Sequence, residues 1–431
     1  MAKHQAPRGM RDVLPPESDW WQWLVSRCRE AAHRFGYREI RTPLVEHTEV
    51  FLKGVGEGTD IVEHEMYTFA DRAGRSLSLR PEGTAGVVRA YVEHGMHTWP
   101  QPVKLYYVAE MFRYDRPQAG RYRQHTQFGA EVLGAAGPSA DVDVLSLAVR
   151  TLQGLGLREV RVHLNSVGDA RCRPGYLQAF RDYFQAYYDR LDEDSRRRLT
   201  TNPLRILDSK VEQTRQIARG APRTLDYLCP DCRAHFDRVV RKLEVLGIAV
   251  EVDPLIVRGL DYYTRTAAEV HYPKLGAQST LFGGGRYDGL AEVLGGPPTP
   301  GVGFGMGLER VLLVLEQEGL LPEVDASPRV FVCCEGEAWE DEALRVVDAL
   351  RGAGLRAEGD LLDRSLRAQL RAASKAGARW AVLVGVPGTP AGEVILRDLR
   401  SGEQRVVRTE AVVGLVAREE EGGCARTGAG S

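Results

Sequence analysis

The segment VRGLDYYTRTAAEVHYPKLGAQSTLFGGGRYDGL, residues 257–290, puts Arg258, Asp261, Tyr262 and Tyr263 almost side by side. Some twenty residues later Gly283, Gly284 and Gly285 precede Arg286 and Tyr287. A fixed cation, a carboxylate and two phenols on one segment, with bare backbone on the next, suit a polar, charged ligand that must lie close to the main chain. Standing alone, a glycine run reads as a bulge or turn, and a tyrosine pair as strand core. Arg258 and Asp261 beside the tyrosines tip the reading toward a site.

A second cluster lies upstream. In QFGAEV, strand alternation puts Phe128, Ala130 and Val132 on one face and Gln127, Gly129 and Glu131 on the other. A polar face is ordinarily a solvated one. Here Arg113 ends the preceding strand-like run in EMFR, and LRPEGTAG at 79–86 adds Arg80, Glu82 and Thr84 with two glycines. The usual phosphate loops, G-x-x-x-x-G-K-[ST] and G-x-G-x-x-G, are absent, and GVGFGMG at 301–307 misses the dinucleotide spacing. A bound nucleotide would therefore have to be held by arginines on an antiparallel sheet.

These residues need elements to position them. Residues 17–36 have the pattern of an amphipathic helix, followed by a long edge-like strand through Pro43 in YREIRTPLVEHTEVF. Residues 103–133 read as two strands around the polar loop RPQAGRYRQ, and 139–155 as a helix. From about 170 to 252 charged helical periodicity takes over, which predicts a helical insertion. Strand patterning returns from 255 to about 304. A helix follows with Leu308, Val311, Leu312 and Leu315 on one face. After a proline-bounded linker at 322–328, the alternation of RVFVCCE, DEALRVVDALRGAGL and RWAVLVGV predicts a small α/β domain. The expected division is a catalytic domain over 1–325 containing the insertion at 170–252, a C-terminal α/β domain over 328–420, and a disordered tail at 421–431.

Composition sets the outer bounds. A chain of 431 residues is too long for one core. A net charge of −2 excludes a polycation, so contacts to nucleic acid would come from local patches. No apolar run reaches membrane-spanning length, and the first residues lack the apolar core of a signal peptide. Seven cysteines without a disulfide-like framework fit a reducing cytoplasm. Cys229 and Cys232, in CPDC, have metal-like spacing, but structural zinc needs four ligands. His235 is the one further candidate nearby. The reading adopted is two thiols at a helix start and no protein-only metal site. Cys333 and Cys334 read as core.

FRYDRPQAGRYRQHTQFGAEVLG resembles motif 2 of the class II aminoacyl-tRNA synthetases, and GVGFGMGLERVLL resembles their motif 3, with Arg310 as its arginine. The first helix and the Pro43 strand resemble motif 1. IVRGLDYYTRT and GGGRYDGL are similar to the two signature peptides of the histidyl-tRNA synthetase family. The resemblance covers essentially the whole chain. It implies an α/β fold: an antiparallel, six-stranded-type class II sheet flanked by helices, a helical insertion and a C-terminal α/β anticodon-binding domain.

It further implies a homodimer formed through motif 1, with L-histidine, ATP with Mg2+, and tRNA(His) as substrates and no organic cofactor. Arg113, Arg258 and Arg310 would bind ATP, with Arg113 and Arg258 catalytic. Glu82, Gly83, Thr84, Arg113, Gln127, Glu131, Arg258, Tyr262 and Tyr263 would bind histidine. Arg116, Gln118 and Arg121 would meet the tRNA acceptor end. A site built from hydrogen bonds to an imidazole rejects apolar amino acids, so no editing domain is expected. The alternative is the synthetase-like regulatory subunit of ATP phosphoribosyltransferase, which typically lacks the anticodon domain and the catalytic arginine. The class I signatures HIGH and KMSKS do not occur.

Overall fold

A computed structural model describes residues 4–56, 59, 61–209, 211–256, 262–272, 280–324 and 327–418. Arg258 and Asp261 lie outside the described residues. The chain divides into two compact units, 1–322 and 323–431.

The first unit is built on an eight-stranded sheet. Its strands are β1 (Arg38–Glu39), β2 (Val103–Phe112), β3 (Gln124–Leu133), β4 (Arg161–Ser166), β5 (Val250–Val252), β6 (Thr264–His271), β7 (Thr280–Arg286) and β8 (Gly301–Gly307). They run in the order β1-β2-β3-β8-β7-β6-β4-β5. The middle six pair antiparallel. A short parallel strand extends the sheet at each edge, β1 on β2 and β5 on β4. The expected six-stranded antiparallel sheet is thus the centre of a wider mixed one.

One face of the sheet carries the main core. Phe128, Ala130, Val132, Val302, Phe304 and Met306 are all buried against the helices Glu17–Arg34, Pro138–Gly154 and Leu308–Gln317. The helix after motif 3 buries Leu308, Val311, Leu312 and Leu315, as its spacing predicted. The opposite face carries the polar residues of β3 and is roofed in part by the helix Thr84–Glu93.

Two expectations change. The long strand through Pro43 is broken: Arg38–Glu39 and Val45–His47 belong to different sheets, and Thr48–Val55 is helical. Proline has no N–H to donate to a ladder. Arg80 occupies the acceptors there instead, its Nη1 donating to Thr42 O at 2.9 Å and its Nε to Glu110 O at 2.7 Å. Arg80 is therefore a staple between segments rather than a ligand-facing cation.

The second change concerns residues 170–252, which do not form one body. Tyr176, Phe180, Phe184, Leu199 and Ile217 make a small core of their own. The helix Pro230–Val245 instead buries Phe236, Val239 and Leu243 in the main core, and Val250–Val252 is an edge strand of the main sheet.

The second unit is a five-stranded sheet, ordered Ala357–Gly359, Val330–Cys334, Trp380–Val384, Glu393–Asp398, Gln404–Arg408. The first three strands are parallel and the last two antiparallel. Helices Glu340–Gly352 and Leu366–Lys375 supply the apolar faces that cover it. Cys333 is fully buried in this core and Cys334 half-buried.

Candidate functional site

The register of β3 and β8 explains the glycine spacing. Gly303 pairs with Glu131, Gly305 with Gly129 and Gly307 with Gln127. Along β8 the glycines face the polar side of the sheet while Val302, Phe304 and Met306 face the core. The bare positions are filled mainly by the protein itself. A Cβ on Gly303 would lie 1.6 Å from Glu131 Oε2, and one on Gly301 2.2 Å from the Tyr287 ring. Tyr107 lies between two more: Cβ atoms on Gly83 and Gly129 would fall 2.3 and 2.2 Å from its Cζ. Gly283, Gly303, Gly305 and Gly307 line the pockets, so bare backbone faces the cavities there. Gly301 and Gly303 also make room for Tyr287 and Glu131, and Gly83 and Gly129 for Tyr107, side chains that build the pocket wall.

Gly303→Ala is accordingly expected to displace Glu131, at an overpacking cost of about 1–3 kcal/mol. Binding of a small polar ligand in the pocket beside Glu131 should fall far more than that stability loss explains. Isothermal titration with polar amino acids, beside a melting curve, checks this.

The smaller pocket is lined by Glu82, Thr84, Tyr107, Arg113, Gln127, Tyr262, Tyr263 and Tyr287, together with Gly283, Gly303, Phe304 and Gly305. Its acidic groups are buried and held by donors. Glu82 accepts from the backbone N–H of Thr84 at 2.7 Å and of Ala85 at 2.8 Å, which ties it to a helix start. Burial raises its pKa, while those N–H groups and Arg113 pull the other way. Glu131 is fully buried behind the lining and accepts from Thr84 Oγ1 at 2.8 Å and the Tyr287 hydroxyl at 2.5 Å. Burial pushes its carboxyl up to about 8, against the pull of Tyr287 and Thr84. Tyr262 stacks obliquely on Tyr263, ring centroids 4.8 Å apart, and meets Tyr287 edge-on at 5.7 Å. Tyr107 and Tyr287 escaped the sequence reading. Their signal lay in the glycines opposite them, Gly129 and Gly301, which pair with Tyr107 and sit against Tyr287.

The larger pocket, of about 260 Å³, adjoins the first and shares Arg113, Gln127, Gly283 and Gly305 with it. It adds Arg121, His125, Thr280, Glu309 and Arg310. Arg113 Nε is fixed by Pro81 O at 2.7 Å, and Arg310 Nη1 by Thr280 O at 2.7 Å. Burial and repulsion from Arg121 and Arg113 lower the pKa of Arg310. Burial, then Arg113, Arg310 and Arg121, push the His125 imidazole down to about 3, so it stays neutral among the three cations. Such a concentration of positive charge in a partly desolvated cavity favours a polyanion.

In the loop between β2 and β3, Arg116 and Gln118 are exposed. Arg121 departs from that expected grouping: it lines the larger pocket and is ion-paired with Asp115. His235 does not join Cys229 and Cys232. Its Nε2 lies 3.2 Å from Asp141 Oδ1, deep in the core.

A family model described as histidyl-tRNA synthetase matches residues 9–311, and one described as an anticodon binding domain matches residues 329–419. A histidine–tRNA ligase of Desulforudis audaxviator is 51% identical over 416 residues, 96% of this chain and 99% of that protein. One of Pelotomaculum thermopropionicum is 49% identical over 94% of this chain and 96% of its own. The crystal structure of apo histidyl-tRNA synthetase from S. aureus matches with a TM-score of 0.81 and 37% identity, covering 96% of this chain and 99% of that one. Agreement at this level across both units, on a sheet that presents the motif 2 and motif 3 arginines to one cavity, shows that the chain belongs to the histidyl-tRNA synthetase family.

Proposed function

We propose that the chain is a histidine–tRNA ligase. It joins L-histidine to ATP as histidyl-adenylate, releasing diphosphate, and then moves the histidyl group to the 3′ end of tRNA(His), releasing AMP. The observation that carries this reading is the pair of adjoining pockets that share Arg113, Gln127, Gly283 and Gly305. One is cationic and suits triphosphate. The other is small and lined by phenols and buried carboxyls, and suits a polar amino acid.

In the first step the histidine carboxylate attacks the α-phosphorus and the bond to diphosphate breaks. Charge grows on the α-phosphoryl oxygens as an anion approaches a polyanion, so preorganised cations supply most of the catalysis. Arg113, at the junction, reaches both the carboxylate and the α-phosphate. Arg310, in the cationic pocket, holds the γ-phosphate end. Arg258, which lies outside the described residues, takes the other side of the α-phosphate, as the family's signature peptide implies. ATP enters as its Mg2+ complex, with the ion belonging to the substrate. In the second step the terminal ribose hydroxyl of the tRNA attacks the acyl carbon and AMP leaves.

Glu82, Gly83, Thr84 and Gln127 surround the histidine amino and carboxylate groups, with Tyr262 on the wall. A neutral imidazole offers one donor and one acceptor. Tyr263 donates to the acceptor. Each Glu131 oxygen holds one hydroxyl in the structure, which leaves lone pairs for the imidazole N–H. Arg116 and Gln118 remain the acceptor-end contacts, whereas Arg121 belongs with ATP. The C-terminal unit reads the anticodon, whose single-stranded bases expose their edges. The small helical core around Phe180 clamps the acceptor stem, and a second copy of the chain docks on the Glu17–Arg34 helix. No helix among the described residues is long and apolar enough to cross a membrane.

The regulatory-subunit reading is less supported. An ATP phosphoribosyltransferase regulatory subunit/histidyl-tRNA synthetase from Bacillus halodurans matches at 22% identity with a TM-score of 0.62, which reports the fold alone. The relatives near half identity are ligases along their whole length. ATP–diphosphate exchange with each amino acid in turn tests the proposal. Histidine alone should drive exchange, and exchange driven by another amino acid, or none at all, sinks it.

Above about pH 8, where the carboxyl is ionised, Glu131→Gln is expected to cost about 1.5–3 kcal/mol of transition-state binding, through loss of a charge-assisted bond. That is roughly one to two orders of magnitude in kcat/KM for histidine. Stability should respond differently. The folded carboxyl titrates at about 8, above its ordinary range, so the folded state keeps a proton that the unfolded chain has lost. Wild-type stability therefore falls as pH rises from the ordinary carboxylate range to about 8, and the glutamine variant lacks that slope. Denaturant titrations of both proteins across this range, beside histidine kinetics, decide it.

A further inference from the structure

Three cysteines and an aspartate from separate parts of the first unit converge at one point. Asp169 and Cys172 belong to GDARC, directly after β4, and Cys229 and Cys232 to CPDC. One ligand atom from each lies within 4.8 Å of all the others. We propose that Asp169, Cys172, Cys229 and Cys232 form a structural zinc site.

Two x-x-spaced pairs on two turns are a common form of closed four-ligand zinc site, and three thiolates with a carboxylate are ligands zinc accepts. A tetrahedral zinc with bonds of about 2.3 Å holds its thiolates roughly 3.8 Å apart. Asp169 Oδ1 already lies 3.5 Å from Cys172 Sγ and 3.8 Å from Cys229 Sγ, so small movements suffice.

The aspartate is oriented for one-oxygen ligation. Its Oδ1 lies nearer the sulfurs and accepts from the Arg171 backbone N–H at 3.0 Å, while its Oδ2, 4.0 Å from Cys229 Sγ, accepts from Arg171 Nη2 at 3.0 Å, with Arg265 Nη2 at 3.9 Å. Three thiolates and a carboxylate around a divalent ion carry a net charge of −2. Arg171 and Arg265 are the cations that offset it, the outer partners such a site needs. The turns also fit. The Asp169 N–H points to Cys172 Sγ at 3.2 Å. Gly168, at φ +69°, leaves the space that sulfur fills: a Cβ there would lie 2.7 Å from Cys172 Sγ. All three cysteines of the two turns are unbridged, and two of them, Cys172 and Cys232, are buried.

The site would fasten both ends of the helical stretch to the sheet. Cys172 precedes the helix Arg173–Gln185, and Cys229 caps the helix Pro230–Val245. The same loop is bonded to the strand that follows Tyr263: Arg265 N–H donates to Gly168 O at 2.7 Å, and Val167 N–H to Arg265 O at 2.7 Å. Binding releases the thiol protons and ties metal affinity to the stability of this region.

The test uses the full chain, prepared without added metal salts and handled under reducing conditions. Metal analysis should find one zinc per chain. Chelation followed by Co2+ should give the absorption of tetrahedral cobalt with thiolate charge-transfer bands, at one equivalent. Cys229→Ser and Asp169→Asn should each weaken Co2+ binding at least tenfold, whereas Cys334→Ser, in the other unit, should leave it unchanged. Removing the metal should speed proteolysis within 173–228. Cobalt bound without thiolate bands, equal binding by Cys229→Ser and wild type, or a Cys229–Cys232 disulfide in the reduced-handled protein with no bound metal would overturn the proposal.

Discussion

Arg258→His is expected to slow histidyl-adenylate formation by roughly 10²–10³, a loss of about 2.7–4 kcal/mol, typical of removing one preorganised donor to developing charge. On the proposed mechanism Arg258 acts on charge that grows as the α-phosphorus is attacked. An interaction made chiefly in the transition state lowers kcat more than it raises KM for ATP. Histidine in its place is shorter and mostly neutral at pH 7. The residue two positions before Arg258 is packed into the fold. Ile256 is buried with Val167, Tyr263 and Ala267, and its carbonyl accepts from Asn165 Nδ2 at 3.0 Å. Transfer from preformed adenylate to tRNA should suffer less, because the phosphorus is no longer under attack. Single-turnover kinetics of the two steps, with sizing and circular dichroism as folding controls, decide it. Equal damage to both steps, or near-normal activation, would make Arg258 a structural arginine.

A change of comparable size, but in stability, is expected at Asp141, a residue with no part in the chemistry. Asp141 is fully buried on the helix Pro138–Gly154. It accepts from Thr266 Oγ1 at 2.5 Å and Arg286 Nε at 3.3 Å, and forms a close ion pair with Arg286 Nη2. His235 Nε2 lies 3.2 Å away. Burial by itself would raise the Asp141 carboxyl, but His235 and Arg286 outweigh it and leave its pKa lowered. Arg286 is itself fully buried, with Ala135 O, Gly137 O and Asp288 as its other partners.

Asp141→Ala leaves a buried guanidinium short of its main counter-charge, which typically costs about 3–5 kcal/mol. Hydrogen-exchange protection of peptides from 138–154 and 280–286 reads this unit apart from the C-terminal one. Losses below 1 kcal/mol there would show that Asp288 and the two carbonyls suffice for Arg286. Because the folded pKa is depressed, the stability this carboxylate contributes is present above its unfolded value. It is lost as pH falls through the folded one, so the variant and the wild type should converge in acid.

What the sequence determined by itself was local. Strand alternation put Gln127 and Glu131 on one face and Phe128, Ala130 and Val132 on the other, since side chains in a strand alternate whatever lies around them. The i, i+3, i+4, i+7 spacing found the buried face of the Leu308–Gln317 helix for the same kind of reason. The signature peptides pointed to the family because each is a continuous run. Pro43 could have warned that the second segment would not stay one strand.

The tertiary structure decided whatever depends on residues far apart in the chain. Asp141 and Arg286 are 145 positions apart, and Asp169 and Cys229 are 60. Nothing in either local pattern fixes such a partner. The glycines were visible but their purpose was not. Only the register that sets Gly303 opposite Glu131, and Gly129 opposite Tyr107, shows that the missing side chains make room for other side chains. Arg80 and Arg121 were equally ambiguous, because a guanidinium bonds carbonyls, carboxylates and phosphates alike. Which of these it meets follows from the packing of the sheet, where Arg80 finds Thr42 O and Arg121 finds Asp115 beside the larger pocket.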